Sequence, residues 1–442
     1  MLKFVSRLIG NISLLGSDLS FLIKGGALAL SIRGFGAGLA LILNILIGRL
    51  LGVEGAGYYY MALAISSIGS VIVSLGMDHA LLRFVAVNAA KGDLAKVSSV
   101  FFYGIRTVGV AGSIVAITLA IAAPLLTRRL FADQGLESPL FWITPSIATF
   151  ALMMLISEGL KGVNRTVEAM LVSGVFYPLV ALLLIFPLTS LMGSSGASLA
   201  YVLGTSVSVM LGLMLWRRAV GWHDCISQSE AAELWNVAPK LWVMSLINTA
   251  LLPWLPLFLL GILNGAAAAG ALGAATRLSM IVSFILAAAI TIAAPKSAEL
   301  LVKGDLRQLE KVMSQFSLIV LLLASPILII MISSASELMG LFGNDFKNGG
   351  VALIIISTGQ FFNVALGLNG YLLILSGHEN RLKTGAIYSL FTLIVSCSIL
   401  IPYLGLVGAA AAGTLAQVTT NVFNYVQVHS RLSLKIYPKW PG

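Results

Sequence analysis

Lys91-Gly92-Asp93-Leu94 and Lys303-Gly304-Asp305-Leu306 are the same tetrapeptide, 212 residues apart (91 to 303). A second pair keeps that separation, Leu191-Met192-Gly193-Ser194-Ser195-Gly196-Ala197 paralleling Tyr403-Leu404-Gly405-Leu406-Val407-Gly408-Ala409. Weaker echoes pair Gly52 and Gly57 with Gly265 and Gly270, and Gly162 with Gly377. Self-similarity at a fixed offset means a chain built from one unit used twice.

The unit between these motifs is made for lipid. Of 442 residues, 58% are hydrophobic and 10% charged, and the mean hydropathy is +0.99. A soluble domain carries about a quarter of its residues charged. The same composition excludes a disordered chain, a disulfide scaffold and a coiled coil. Crossing a bilayer takes about 20 apolar residues as a helix, because every backbone polar group must be satisfied within the segment. Twelve stretches qualify: 25–51, 58–82, 100–126, 140–160, 170–191, 197–216, 241–263, 266–294, 313–332, 351–375, 384–401 and 405–428.

The expected fold is therefore all-α, with two six-helix lobes. An even number of spans per repeat relates the lobes by a pseudo-two-fold axis along the membrane normal. The first lobe is expected over residues 1–220, a cytoplasmic linker over 221–240 and the second lobe over 241–442. Residues Leu2, Val5, Leu8, Ile9, Ile12 and Leu15 fall at helical spacing opposite Lys3, Arg7 and Asn11, which reads as an amphipathic helix on the membrane surface. No cleaved signal peptide is indicated.

The net charge of +10 is explained by its location. With both termini cytoplasmic, the inner segments collect most of the Lys and Arg, among them Lys91, Lys96, Lys161, Arg165, Lys303 and Arg381. The opposite loops hold Arg49, Arg128, Arg129 and Lys347. That bias is the positive-inside signal and needs no nucleic acid. Tyr58, Tyr59 and Tyr60 read as outer-interface aromatics, and Trp216 and Trp242 as inner ones. Cys225 and Cys397 lie in contexts too different to suggest a disulfide.

Charges inside the bilayer carry the functional signal, because each costs about 2.5–3.5 kcal/mol at the centre. Arg33 lies about nine residues into the first span, and Arg277 about eleven residues, or about 16 Å at 1.5 Å per residue, into the eighth. No Asp or Glu lies equally deep. A guanidinium facing a wet cavity stays hydrated and can grip phosphate bidentately. Arg106, one or two turns into the third span, can reach the headgroups by snorkelling or join the site. Asn44 and Asn248, like Asn363, Asn369, Gln417 and Asn421, can hydrogen-bond sugar hydroxyls or neighbouring helices.

Asp78 and His79 beside Arg83 read as a local ion pair, with a proton relay as the alternative. Glu158 and Glu168 read as interfacial salt bridges flanking the turn at 161–165. Pro253 and Pro256 interrupt the seventh span as a hinge or a static kink. Gly34, Gly36 and Gly38 sit in an apolar helix with no preceding strand, which favours close helix packing over a nucleotide loop. Nothing in the sequence has the form of a Walker motif, a metal cluster or a nucleophile triad, and the outer loop at 127–139 is too short to build an enzyme site.

The stretch 34–69, GFGAGLALILNILIGRLLGVEGAGYYYMALAISSIG, resembles the multidrug/oligosaccharidyl-lipid/polysaccharide exporter superfamily, nearest its Wzx-type polysaccharide flippases. The turn Gly48-Arg49-Leu50-Leu51-Gly52 followed by Gly55-Ala56-Gly57-Tyr58 carries that likeness, echoed by SGHENRL at 376–382 and by residues 385–410. The resemblance implies a non-enzymatic flippase in the cell (inner) membrane. It would move a polyprenyl-pyrophosphate-linked oligosaccharide outward by alternating access, for lipopolysaccharide or exopolysaccharide. It also implies arginines on the first and eighth helices, matched by Arg33 and Arg277, and exchange against a cation, H+ or Na+, whose residue is unassigned. Expected partners are the lipid-linked oligosaccharide, membrane lipid, and a polysaccharide polymerase with chain-length proteins; no cofactor is expected. The alternatives are a multidrug antiporter or lipid II flippase of the same fold, and a membrane-embedded polysaccharide-assembly enzyme.

Overall fold

The computed structural model describes residues 17–131, 133–221 and 228–438, and these are helical apart from short turns. The amphipathic segment expected over residues 2–15, and Cys225, lie outside them. Three very long helices each contain two spans joined at a glycine: Ser17–Ser74 breaks at Gly52, Leu252–Val302 at Gly265 and Glu379–Leu432 at Gly405. With these divided, and with 134–143 and 146–162 taken as one bent span, the described helices supply the twelve expected crossings. The ends near residues 52, 193, 265 and 405 lie together and are called distal; those near 91, 164, 303 and 377, on the side of the last helix's end, are proximal.

The duplication is visible in backbone geometry. Gly92 and Gly304 have φ of 76° and 71°, a left-handed conformation cheap only for glycine. The following aspartates cap the next helices identically, Asp93 accepting from the Lys96 N–H and Asp305 from the Gln308 N–H, both at 3.0 Å. Gly193 and Gly405 match in both dihedrals, (56°, −130°) and (52°, −123°). The pairing of Gly162 with Gly377 is corrected: the left-handed partner of Gly377 is Asn164, with φ of 73° and 62°. At both turns the next N–H reaches back five residues, Arg165 to the Leu160 carbonyl and His378 to that of Leu373. Asparagine tolerates this conformation, so a search for glycines alone misses it by two positions.

The second span ends earlier than expected. Leu75 and Gly76 turn left-handed at φ of 51° and 76°, and Met77–Ala90 is a separate helix. The linker segment reads in sequence as a short helix between the halves, and Gln228–Ser245 is helical, running through a π-helical turn, Leu246–Leu251, into the seventh span. Its residues pack against the first lobe. Leu234 and Ala238 are buried there, the Trp242 Nε1–H donates to the Val71 carbonyl at 3.0 Å, and the Gly76 backbone leaves room for that of Ala238.

Three apolar clusters build the interior. One combines Leu43, Ile47 and Tyr60 of the first lobe with Leu257, Leu272 and Ala409 of the second, at the distal half. The other two are private to the proximal halves, around Phe101 and Trp216 in the first lobe and around Met313 and Leu372 in the second. Trp216 is thus no interfacial anchor: it is fully buried and stacks on Phe101 at 3.7 Å. The lobes share one core at the distal end and keep separate cores proximally, where the Trp242 bond to Val71 and the Phe284 ring beside Gly34 still join them.

A reciprocal contact seals the distal end. A Cβ on Gly57 would stand 1.8 Å from the Ala266 carbonyl oxygen, and one on Gly270 would stand 2.0 Å from that of Val53. Gly57 and Gly270 are repeat equivalents, as are Val53 and Ala266, so the pseudo-two-fold axis passes between them. Arg49 adds a hydrogen bond to the Leu341 carbonyl at 2.8 Å, and Phe131 meets Phe258 edge-on at 5.6 Å.

Overpacking a tight contact costs about 1–3 kcal/mol, so Gly57→Val should disfavour the sealed state roughly 5- to 150-fold. Spin labels at the exposed distal positions Gln134 and Asp345 should report a longer, broader separation in that variant. An unchanged distance distribution contradicts the seal.

Candidate functional site

Arg277 stands where the shared core ends. Its helix presents Gly273 one turn earlier, and a Cβ there would lie 2.3 Å from the Tyr60 ring. The notch seats Tyr60, which is fully buried, and the ring lies under the Arg277 guanidinium with 5.4 Å from Cζ to its centroid. Trp254 covers the guanidinium at 5.0 Å. Such contacts are worth about 0.5–2 kcal/mol each, most when desolvated. Among the described residues Arg277 forms no ion pair. Its charge lies against two aromatic rings, which have no lone-pair acceptor of the kind an anion offers to its N–H groups.

Beside it lies a cavity of about 190 Å³ at the seam. Ala40, Asn44, Tyr59, Phe150, Tyr177 and Tyr201 wall it from the first lobe, and Thr249, Trp254 and Arg277 from the second. Tyr201 meets Tyr177 edge-on at 5.9 Å and lies near-parallel to Phe150 at 6.5 Å. No carboxylate lines this cavity, and Arg277 is its one formal charge among the described residues.

The expected residues separate accordingly. Asn44 lines the seam cavity, while its Nδ2 donates to the Ala40 carbonyl at 2.6 Å. Arg33 is exposed and does not line that cavity. It falls seven and eleven residues before Ala40 and Asn44, within about 20° of them around a helix of 3.6 residues per turn. Arg33 therefore continues the same wall toward the proximal end, about 10 Å below Ala40. Arg106 is exposed on the third span and also lies outside the cavity lining.

Asn248 lines a second cavity, within the second lobe, with Pro253 and Pro256. The two prolines follow the π-helical turn, in which the Leu252 N–H reaches the Ile247 carbonyl. Pro253 has no N–H for the carbonyl of Thr249, so this stretch lacks a rung of its ladder where the helix passes from first-lobe to second-lobe neighbours. Of the three glycines read as packing positions, Gly36 is one: a Cβ there would be 2.4 Å from the Gly174 carbonyl oxygen, whereas Gly38 faces open space.

Glu158, Glu168, Asp78 and His79 line neither the seam cavity nor the second one. Glu158 pairs with Lys161 at 2.5 Å and Glu168 with Arg165 at 3.0 Å. Asp78 stands 4.0 Å from His79. The aromatic wall was not anticipated from the sequence. Tyr59 and Tyr60 are 3% and 0% exposed, not interfacial anchors, because the Gly52 break starts the second span early and carries them two turns inside. Their order immediately after a glycine-rich turn was the available signal.

The Tyr60 hydroxyl is buried with no hydrogen-bond partner among the described residues, a deficit of about 1–3 kcal/mol. Tyr60→Phe should therefore raise the thermal midpoint of the purified protein. Tyr60→Ala, which empties the notch, should lower it by the equivalent of about 3–5 kcal/mol. A lowered midpoint in Tyr60→Phe contradicts this geometry.

The comparisons agree with this architecture. Residues 22–301, more than half of the chain, match the family model described as polysaccharide biosynthesis protein. Stage V sporulation protein B of Bacillus subtilis is 24% identical over 179 residues, 39% of this chain and 34% of that protein, so the match spans about a third of the relative's length. A multidrug resistance MATE family transporter of the MOP superfamily, solved in an inward-facing conformation, superposes with a TM-score of 0.76 at 15% identity, covering 92% of this chain and 98% of that one. The lipid II flippase MurJ in an inward closed conformation gives 0.72 at 14% identity, covering 90% and 87%. A MOP superfamily transporter from Pyrococcus furiosus gives 0.67 at 15%, covering 93% and 96%. The solved structures show that the chain shares the multi-span helical fold of these transporters, and the match over residues 22–301 shows that it belongs to the polysaccharide biosynthesis protein family.

Proposed function

We propose that the protein flips a polyprenyl-pyrophosphate-linked oligosaccharide from the cytoplasmic to the outer leaflet of the cell membrane, with Arg277 as the diphosphate grip. The observation that carries this reading is the seam cavity: one arginine, aromatic walls, and no carboxylate among the described lining residues. Arg277 is half-buried, and a charge partly withdrawn from water is stabilised by an opposite charge beside it. An anionic cargo supplies that partner, and a diphosphate matches the bidentate donors of a guanidinium.

A cationic drug meets the wrong sign of charge in this cavity, which disfavours the multidrug antiporter. A lipid II substrate shares the diphosphate and differs in its sugars, so the arginine alone does not separate the two. The proximal end, rich in Lys and Arg, is assigned to the cytoplasm by the positive-inside rule. Arg33, exposed on the same helix face as Asn44, would meet the headgroup on its way in. Firm joining at the distal end with separate proximal cores is the asymmetry that alternating access uses, and the π-turn with Pro253 and Pro256 is the proposed hinge. A cation gradient, H+ or Na+, is kept as the driving force.

The test is translocation of a fluorescent polyprenyl-pyrophosphate oligosaccharide in proteoliposomes. Arg277→Ala should fall to the protein-free rate. Arg277→Lys, which keeps charge but loses the planar fork, should retain a small fraction of activity. Arg33→Ala should slow entry and raise the half-saturating substrate concentration. Parental rates in Arg277→Ala would refute the grip.

A further inference from the structure

A second cavity, of about 320 Å³, lies within the second lobe between the seventh, eighth, tenth and twelfth spans. Its polar lining is uncharged. On the tenth and twelfth spans Gln360 and Gln417 exchange amide hydrogen bonds in both directions, at 3.2 and 3.1 Å. Nearby, the Asn421 Nδ2 donates to the Asn363 Oδ1 at 3.2 Å and to the Gln417 carbonyl at 3.1 Å. Asn248 lines the cavity from the seventh span and bonds its own helix at the Met244 carbonyl.

A primary amide has two N–H donors and two acceptor lone pairs. Each glutamine in the reciprocal pair uses one N–H and one lone pair on its partner. One of each is left over, at a cavity and not at a packed helix contact. Interhelical bonding alone does not require a void beside it.

Spare donors and acceptors side by side, with no formal charge, match the vicinal hydroxyls of a neutral sugar. Pro253, Pro256 and Leu257 supply an apolar surface for the sugar's C–H face. Hard cations take several oxygen ligands, carboxylates foremost, and no carboxylate lines this cavity among the described residues. Ligand cavities run to about 300–1,000 Å³, so this one accepts a short stretch of sugar.

Its position relative to Arg277 is specific. Thr276 lines the amide cavity and Arg277 the seam cavity. Likewise Asn248 faces the first and Thr249 the second, and both are exposed. The two cavities open side by side at the π-helical turn, on either side of the same two helices.

We propose that the amide-lined cavity is a binding site for neutral sugar hydroxyls of the cargo, next to the diphosphate site and separate from it. The assignment rests on the flippase reading for its source of sugar, but its chemistry is independent of Arg277.

The test uses the full chain in nanodiscs and its intrinsic tryptophan fluorescence, to which Trp254 beside Arg277 contributes, titrated with three probes. These are a polyprenyl diphosphate without sugar, the same lipid bearing a neutral glucose oligomer, and that glucose oligomer free. The sugar-bearing lipid should bind about tenfold tighter than the bare one, the worth of one or two net hydrogen bonds. Gln360→Leu with Gln417→Leu should erase that preference and leave the bare lipid's affinity unchanged. Asn248→Leu, which breaks no bond between helices, should reduce the preference in a protein whose packing is untouched.

Displacement of the sugar-bearing lipid by the free oligomer at high concentration, to the level of the bare lipid, would further support the site. Equal binding of the two lipids by the parental chain, or a preference that survives all these substitutions, overturns it. Arg277→Ala separates the two readings. Loss of affinity for both lipids upholds the diphosphate grip, whereas unchanged bare-lipid affinity refutes the grip without touching the sugar preference.

Discussion

The guanidinium of Arg277 sits at the end of an apolar core shared by two lobes, and the cost of a charge there organises the rest. A carboxylate partner would cancel it and leave the site neutral. The protein instead lays it between Tyr60 and Trp254, which stabilise a cation through their ring quadrupoles without consuming its hydrogen-bond donors. The Gly273 notch admits the Tyr60 ring, and the Gly52 break sets the start of the helix that carries it. The lobe interface is therefore built around a charge that is stabilised but not satisfied.

The distal and proximal halves divide the mechanical roles. Where Gly57 meets Ala266 and Gly270 meets Val53, backbone lies on backbone. Small residues that let helices approach closely are the usual means of joining helices in lipid, where no hydrophobic force separates one apolar surface from another. Such contacts lose their dispersion energy within a fraction of an ångström, so they open in an all-or-none way. Proximally each lobe keeps a core of its own, and can tilt as a unit while its interior stays packed. The seventh span belongs to both, anchored to the first lobe through Trp242 and lining the second-lobe cavity from Asn248 onward.

Much of this was legible in the sequence because lipid makes the rules strict. The twelve spans follow from length and hydropathy, and the repeat from Lys-Gly-Asp-Leu, whose glycine and aspartate have defined backbone duties at a helix start. The match of Gly377 to Asn164 was hidden because two residue types serve one dihedral region. Arg33 and Arg277 looked equivalent by depth, yet one lines the seam cavity and the other lies below it, since depth carries no information about neighbours. Tyr59, Tyr60 and Trp216 were misread for a similar reason: an aromatic near a helix end fits both an interface and a cavity wall until the exact helix start is known. The amides gave no sign of assembling, as each of them is adequately explained by packing when taken singly.

The central claim, an anion held by Arg277 at the seam, is tested most directly by a structure of the protein in nanodiscs with a bound polyprenyl diphosphate. The account predicts phosphate oxygens within about 3 Å of the guanidinium nitrogens, with the rings of Tyr60 and Trp254 still against that group. Diphosphate density elsewhere, with the Arg277 cavity empty or its guanidinium paired to a carboxylate, would contradict it.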